Sequence, residues 1–197
     1  MTWDTCVKSY LKIVENGCPE EFRPTWCEHC ESESNFHRHG SYTRSLYTLA
    51  EAFEIRIFRF KCTACATACS ILPSFLKRNH TAALDVHECV MRMNTDGVAL
   101  RIIAEQLASV QAFSEKTLWR WKQMWNHILK RLEPVFWQTV LLRTPHLSLP
   151  RGKDAPVSTW GWFFWVWEAV HLYWSDKPGE CSFQWLVYLS QSVAVTV

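Results

Sequence analysis

Apolar residues near the start of the chain recur at helical spacing. Tyr10 and Leu11 lie three and four residues after Val7, and Val14 lies seven after it, which is the pattern of an amphipathic helix. The pattern predicts one helix within residues 3–16 that ends at Gly17.

The spacing changes to the two-residue alternation of β-strands between residues 36 and 60. Here Thr, Tyr and Phe are abundant, and alternation is clearest over residues 53–58, where Phe53, Ile55 and Ile57 alternate with Glu54, Arg56 and Phe58. The segment predicts a hairpin or a three-stranded sheet, with a further strand over residues 67–72.

Helical spacing returns after residue 81 and predicts three helices in succession. The first is expected to stop near Gly97, and Ser114 is the expected N-cap of the third, which Glu133 and Pro134 are expected to close. The three apolar stripes are Val86, Cys89, Val90 and Met93; Leu100, Ile103, Ala104 and Leu107; and Leu118, Trp121, Trp125, Ile128 and Leu132.

An intensely aromatic stretch, residues 160–167, marks the C-terminal segment and predicts a helix that continues to Trp174. The stretch is too short to span a bilayer, which takes about 20 apolar residues. It also lacks the Lys and Arg that an interfacial membrane helix carries on its polar face. We therefore predict a buried helix or a subunit interface, and no membrane association.

Composition and charge narrow the class of protein. With 197 residues, of which 48% are hydrophobic and 20% charged, the chain has room for one domain or two small ones. The net charge is only +2, but residues 36–80 contain seven Lys or Arg against two Asp or Glu. This middle segment therefore carries a modest excess of positive charge, which favours binding to a polyanion.

The chain contains nine cysteines, and whether they form disulfides depends on the redox state of the cellular compartment. Lys8, Lys12 and Glu15 interrupt the apolar positions of residues 1–17, which therefore lack the apolar core of a signal peptide. We expect a cytoplasmic, nucleoid-associated protein. In a reducing compartment, metal ligation and buried thiols explain the cysteines better than disulfides do.

Two Cys-x-x-Cys pairs carry the strongest chemical signal. Cys27 and Cys30 form the first pair, and Cys62 and Cys65 form the second. Each pair presents two thiolates on a tight turn, and two such turns supply the four soft ligands that Zn²⁺ prefers. A sheet that runs out from the first pair and returns to the second predicts a zinc ribbon. The spacing between the pairs exceeds the usual ~15–20 residues, so long strands or an extra strand are required.

Other assignments of these residues stay open. The pairs could be core cysteines or a redox dithiol, and Cys69 could replace a ligand, although a buried thiol on its strand is the simpler interpretation. His37 and His39 could also ligate, but four thiolates already complete a structural site, so they are interpreted as surface or phosphate-facing groups. The remaining cysteines are assigned to packing: Cys6, Cys18, Cys89 and Cys181.

Three stretches share one resemblance: the first cysteine pair, residues 36–44, and the run Arg59-Phe60-Lys61-Cys62-x-x-Cys65. Together they resemble the zinc-ribbon head of bacterial insertion-sequence transposases. They also resemble a family of short bacterial proteins that share this head. The resemblance covers roughly residues 27–125. It implies a zinc ribbon followed by a DNA-binding helix-turn-helix, which in the transposases precedes a catalytic domain with an RNase H-like fold.

The third predicted helix suits DNA recognition, because one stripe is apolar and the opposite side carries groups that bond phosphates and base edges. A charged helix face is often only solvated, and the basic ribbon beside it in the sequence favours the DNA-binding interpretation. The candidate DNA contacts are Arg38, His39, Arg44, Arg56, Arg59, Lys61, Ser114, Lys116, Thr117, Arg120 and Gln123.

Catalysis is not expected. After the third helix the plausible metal-binding carboxylates are Asp154, Glu168, Asp176 and Glu180, in too little chain for an RNase H-like sheet with its helices. No phosphate-binding glycine loop, nucleophile elbow or His-Glu-x-x-His motif is present.

The sequence therefore predicts an α+β protein of four segments: a helical leader (1–26), a four-cysteine zinc ribbon (27–80), a helix-turn-helix (81–133) and an aromatic-rich helical tail (134–197). Its expected cofactor is structural Zn²⁺ and its expected partner is double-stranded DNA, with a transposase or a second copy of the chain as a further partner through the tail. Two alternatives remain, a protein-interaction adaptor and a truncated, inactive transposase remnant.

Overall fold

A computed structural model describes residues 2–3, 6–174 and 186, with side chains from residue 6 to residue 170 and at 186. The fold is α+β, as predicted, with small sheets followed by helices. The chain divides into two compact units, Met1–Val86 and His87–Val197, which are described separately. The finer division into four segments stays a prediction.

The described residues of the first unit form one complete helix and seven short or medium strands. In chain order its elements are β1 (Thr2–Trp3), α1 (Val7–Glu15), β2 (Trp26–Cys27), β3 (Ser32–Glu33), β4 (Phe36–Tyr47), β5 (Ala52–Cys62), β6 (Ala68–Ser70) and β7 (Leu72–Pro73). A single 3-10 turn, Glu20–Phe22, lies between α1 and β2.

The predicted sheet is confirmed as three antiparallel strands in the order β4, β5, β6. The hairpin pairs Tyr47 with Ala52 at its tip and Phe36 with Cys62 at its base. Its register shifts between Arg38 and Ser41, where Gly40 has a φ of +91° that favours glycine.

Helix α1 covers one part of this sheet. Tyr10 is fully buried, its hydroxyl donates to the carbonyl oxygen of Arg56 at 2.7 Å, and its ring lies 5.8 Å from that of Phe75. Burial raises the pKa of the Tyr10 hydroxyl. Phe58, expected on the polar side of β5, is also buried, because the ring of Phe22 packs against it at 6.1 Å. Apolar residues thus cover both faces of this strand.

The N-terminal helix is shorter than predicted. It begins at Val7 rather than near Trp3, because Thr2 and Trp3 pair in parallel with Leu72 and Pro73 to form the sheet of β1 and β7. Its end is as predicted, since Gly17 follows with a φ of +104°.

Within the described residues four helices follow: α2 (Leu84–Thr95), which begins in the first unit, α3 (Leu100–Gln106), α4 (Glu115–Arg143) and α5 (Thr159–Trp174). The predicted succession of three helices after residue 81 is confirmed. Within the second unit, His87 is fully buried, its ring lies 3.9 Å from that of Trp121, and its Nδ1 accepts a hydrogen bond from Trp125 Nε1 at 3.1 Å. Aromatic rings and one imidazole therefore join α2 to α4.

The prediction that Glu133 and Pro134 close the third helix is wrong. Helix α4 continues through Pro134 to Arg143. An internal proline costs about 3 kcal/mol, because it removes a hydrogen bond and crowds the preceding turn. Phe136 and Val140, both buried beyond the proline, each gain roughly 1.5–3 kcal/mol from that burial, which offsets the cost.

The aromatic tail forms helix α5, as predicted, and packs within the second unit. The ring of Phe163 lies 4.7 Å from that of Phe136, and Trp160 Nε1 donates to Asn126 Oδ1 at 2.6 Å. Glu168 forms a 2.6 Å ion pair with Arg92. The buried-helix interpretation is confirmed, whereas Asp176, Glu180 and Cys181 lie outside the described residues.

Across the described part of the chain, no helix is both long enough and apolar enough to cross a membrane.

Candidate metal centre

The first cysteine pair lies on a turn between two very short strands. Cys27 ends β2 and pairs with Ser32 of β3, so residues 28–31 form the turn that carries Cys30. Glu31, the residue after the second cysteine, has a φ of +49°, in the left-handed region. The turn therefore reverses the chain directly after its second thiol.

The second pair repeats this geometry at the end of β5. The amide of Ala66 donates to the carbonyl oxygen of Cys62 at 3.0 Å, and the amide of Cys62 donates to the carbonyl oxygen of Thr67 at 3.0 Å. Ala66 follows Cys65 and has a φ of +57°, like Glu31 in the first turn. Two similar turns thus present their thiols in the same way.

The β4–β5 hairpin brings the turns together. Its strands have 12 and 11 residues, and its base pairs Phe36 with Cys62, so the chain returns beside its starting point. The long spacing between the pairs therefore reflects long strands, as predicted.

The four sulfur atoms have the spacing of a tetrahedral metal site. All four ligand atoms lie within 4.8 Å of one another, with Sγ–Sγ distances of 3.6 Å for Cys27 and Cys65 and 3.9 Å for Cys30 and Cys62. A tetrahedron with metal–sulfur bonds of about 2.3 Å has sulfur–sulfur edges of about 3.8 Å. A disulfide would bring two sulfurs to about 2.05 Å. The spacing therefore fits a metal ion held by four thiolates.

Hydrogen bonds around the sulfurs favour the charged form of two ligands. Hydrogen bonds to Thr67 lower the pKa of the Cys65 thiol, and a 3.1 Å contact with the Ser34 hydroxyl lowers that of Cys62. Cys27 and Cys62 are buried. A hydrogen bond to Ser32 lowers the pKa of the Cys30 thiol, but its contacts with Cys27, Cys65 and Cys62 raise it to about 11 overall. A cation bound among the four sulfurs would offset the repulsion between thiolates and favour the charged form of all four.

The other candidate ligands lie outside the cluster. Among the residues that the structure describes, Cys27, Cys30, Cys62 and Cys65 are the one group with metal-binding spacing. Cys69 pairs with Phe60 in the sheet and is half-buried, which raises the pKa of its thiol. His37 and His39 are exposed on β4. The other cysteines assigned to packing are half-buried where described: Cys6, Cys18 and Cys89.

Two of the candidate DNA contacts in the first unit make bonds within the protein. Arg38 donates to the carbonyl oxygen of Cys18 at 2.9 Å and to Glu20 Oε2 at 3.0 Å, and Arg44 donates to the carbonyl oxygen of His80. These guanidinium groups hold segments distant in sequence against the sheet. The remaining four are His39, Arg56 and Lys61, which are exposed, and Arg59, which is half-buried.

The candidates in the second unit lie on the first turns of α4. Ser114 is the N-cap, as predicted: its Oγ accepts from the amide of Thr117 at 3.2 Å and contacts the Thr117 hydroxyl at 2.9 Å. Lys116, Arg120 and Gln123 are exposed. The structure therefore assigns Ser114 and Thr117 a capping role and leaves the three longer side chains open to solvent.

One exposed aromatic residue near the start of α4 was not among the candidates. The side chain of Trp119 is 52% exposed, on the same side of α4 as Lys116 and Gln123. The helical pattern contained the signal, since Trp119 falls outside the apolar stripe through Leu118, Trp121 and Trp125.

Comparisons with protein-family models, with curated proteins and with solved structures found no match. The likeness to transposase ribbons therefore stays a prediction.

Proposed function

We propose that this protein is a zinc-dependent DNA-binding protein related to insertion-sequence transposases, which recognises mobile-element or target DNA without a catalytic domain of its own. One observation carries the proposal: Lys116, Arg120 and Gln123 lie exposed on the first turns of a long helix that is capped at Ser114 and buries its opposite side. This is the arrangement that a recognition helix needs.

Zn²⁺ suits the four-cysteine cluster best among common metal ions. Thiolates are soft ligands, and a set of four thiolates at tetrahedral spacing leaves no open position for a substrate or a water molecule. The ion would therefore be structural. Its role would be to hold the base of the β4–β5 hairpin, through one cysteine pair on each side.

The recognition helix would contact DNA through the charged groups of Lys116 and Arg120 and the side-chain amide of Gln123. Lys116 and Arg120 are one helical turn apart, so both can face a single stretch of DNA. Arginine and lysine bond phosphates or the acceptor edge of guanine, and glutamine suits the adenine edge. The exposed Arg56 and Lys61 of the ribbon would add phosphate contacts.

The test combines metal analysis with DNA binding. We expect one zinc per chain and duplex binding that weakens steeply between about 50 and 200 mM salt. Cys27→Ser and Cys62→Ser should lose the zinc, whereas Lys116→Ala and Arg120→Ala should retain it and bind duplex more weakly. Lys8→Ala and Lys12→Ala, which remove exposed cations from α1, are the matched controls and should bind as the wild type does.

A protein-interaction adaptor is the second candidate. Leu141 and Leu142 are 64% and 75% exposed near the end of α4, which is the kind of surface that protein partners cover. Stoichiometric zinc with no duplex binding at low salt would favour the adaptor and contradict the DNA-binding proposal. The other alternative, a truncated, inactive transposase remnant, predicts duplex binding without cleavage.

A further inference from the structure

Trp119 is the most exposed tryptophan among those whose side chains the structure describes. It lies three residues after Lys116 and four before Gln123, so one exposed strip of α4 carries all three. Trp121 and Trp125, on the other side of the same helix, are buried. The helix therefore directs one tryptophan outward while it uses two for its own core.

The surroundings of Trp119 are cationic. The first three turns of α4 carry Lys116, Arg120 and Lys122 against one acidic residue, Glu115. An indole placed among cations is suited to a partner that offers negative charge together with an apolar group. Duplex DNA offers both in its major groove, where phosphates line the edges and the thymine methyl is the apolar group on the base edges.

We propose that Trp119 is a specificity-determining residue that contacts thymine methyl groups in the major groove. The inference rests on the proposed function, because it assumes that α4 enters that groove. Lys116 and Arg120 would position the helix on the backbone, and the indole would then favour sites that present a methyl group at its face. Phosphate contacts alone give no such preference.

The experiment removes the methyl group without changing charge or base pairing. A site is selected by the wild-type protein from a randomised duplex pool and then synthesised twice, with dT and with dU at every thymine position. We expect wild-type binding to weaken about fourfold for each contacted methyl that is lost. Trp119→Ala should bind the dT duplex roughly tenfold more weakly and show no preference between the two duplexes. Trp119→Phe should retain part of the preference.

Two controls separate this effect from a general loss of binding. Trp26→Ala removes a second exposed tryptophan, which is 46% exposed on β2, and should behave as the wild type does. Lys116→Ala should weaken binding to both duplexes equally and reduce the salt slope by about one.

Each result decides the question. A selected site without thymine, equal wild-type binding to the dT and dU duplexes, or a preserved dT preference in Trp119→Ala would overturn the inference and leave DNA binding intact. Absence of salt-sensitive binding to any duplex would overturn the proposed function, and the inference with it.

Discussion

At the scale of single residues, both cysteine turns place a residue other than glycine in a backbone conformation that favours glycine. Glu31 and Ala66 each follow the second cysteine of a pair with a positive φ. For an L-residue this conformation costs roughly 1–2 kcal/mol. The repeated position indicates that the turn itself imposes the conformation, because the chain must reverse there to present both thiols.

Replacing Ala66 with glycine should therefore stabilise the protein. Glycine adopts the left-handed region without the steric cost, and we expect the free energy of unfolding to rise by about 0.5–1 kcal/mol, less than the strain because glycine is more flexible when unfolded. Thermal or denaturant unfolding of the metal-loaded protein measures the change. Ala64→Gly, in the same turn but without a positive φ, should be destabilising instead. Equal effects of the two substitutions would contradict the explanation.

Residues of the candidate site could be predicted from the sequence where their identification depends on local spacing. The four cysteines are recognisable because each pair is only three residues apart and two pairs recur. The hydrogen bonds of Ser34 to Cys62 and of Arg38 to Glu20 were not predictable, because they join residues 28 and 18 positions apart. Only the folded sheet brings such partners together.

At the scale of elements, helix α4 shows that tertiary packing can outweigh the tendency of a proline to end a helix. Pro134 is exposed, yet the helix continues beyond it for nine residues, to Arg143, with Phe136 and Val140 buried. The sequence pattern up to Leu132 predicted the buried stripe correctly. It could not predict the extension, because the partner of Phe136 is Phe163, from a helix later in the chain.

Pro134→Ala should stabilise helix α4. Alanine restores the missing backbone donor and relieves crowding in the preceding turn, and no packing is lost because Pro134 is exposed. We expect a gain of about 1–3 kcal/mol in the free energy of unfolding, measured by chemical denaturation. Gln138→Ala, at an exposed position one turn later, should change stability by only a few tenths of a kcal/mol. A neutral or destabilising Pro134→Ala would mean that the proline shapes a bend on which the packing of α5 depends.

Elements with many periodic positions were predicted best. The apolar stripe of α1, the alternation in β5 and the aromatic run of α5 each identified an element of nine residues or more. The two-residue strands β1, β2, β3 and β7 carry too few positions to form a pattern. Their existence depends on partners that lie close only after folding, as Trp3 and Pro73 do.

At the scale of the whole molecule, the four clustered cysteines all lie within the first of two compact units. The second unit has a core of its own, built from residues such as Trp125, Phe136 and Phe163. Small sheets bury too little apolar surface to be strongly stable alone, so a metal bound at the cysteine cluster would stabilise the first unit more than the second.

Removal of the metal should therefore unfold one unit selectively. After treatment with a chelator, we expect hydrogen exchange to accelerate at least tenfold in β4 and β5, which is about 1.4 kcal/mol of lost protection, while α4 keeps its protection. Exchange measured by mass spectrometry resolves the two units. Cys69→Ser, which alters a thiol outside the cluster, should behave as the wild type does and respond to chelator in the same way. Equal acceleration in α4 would show that the units do not unfold separately.

The hairpin has a topological consequence. Its exposed tip, around Leu49 and Ala50, lies between the two cysteine pairs along the chain, so an ion bound to the four cysteines would close, together with the backbone, a ring from Cys27 to Cys65. A single proteolytic cut at the tip would open that ring without releasing either piece. On a native gel the cleaved chain would migrate as a single complex. After a chelator removes the ion that links the two fragments, they would migrate as two separate species.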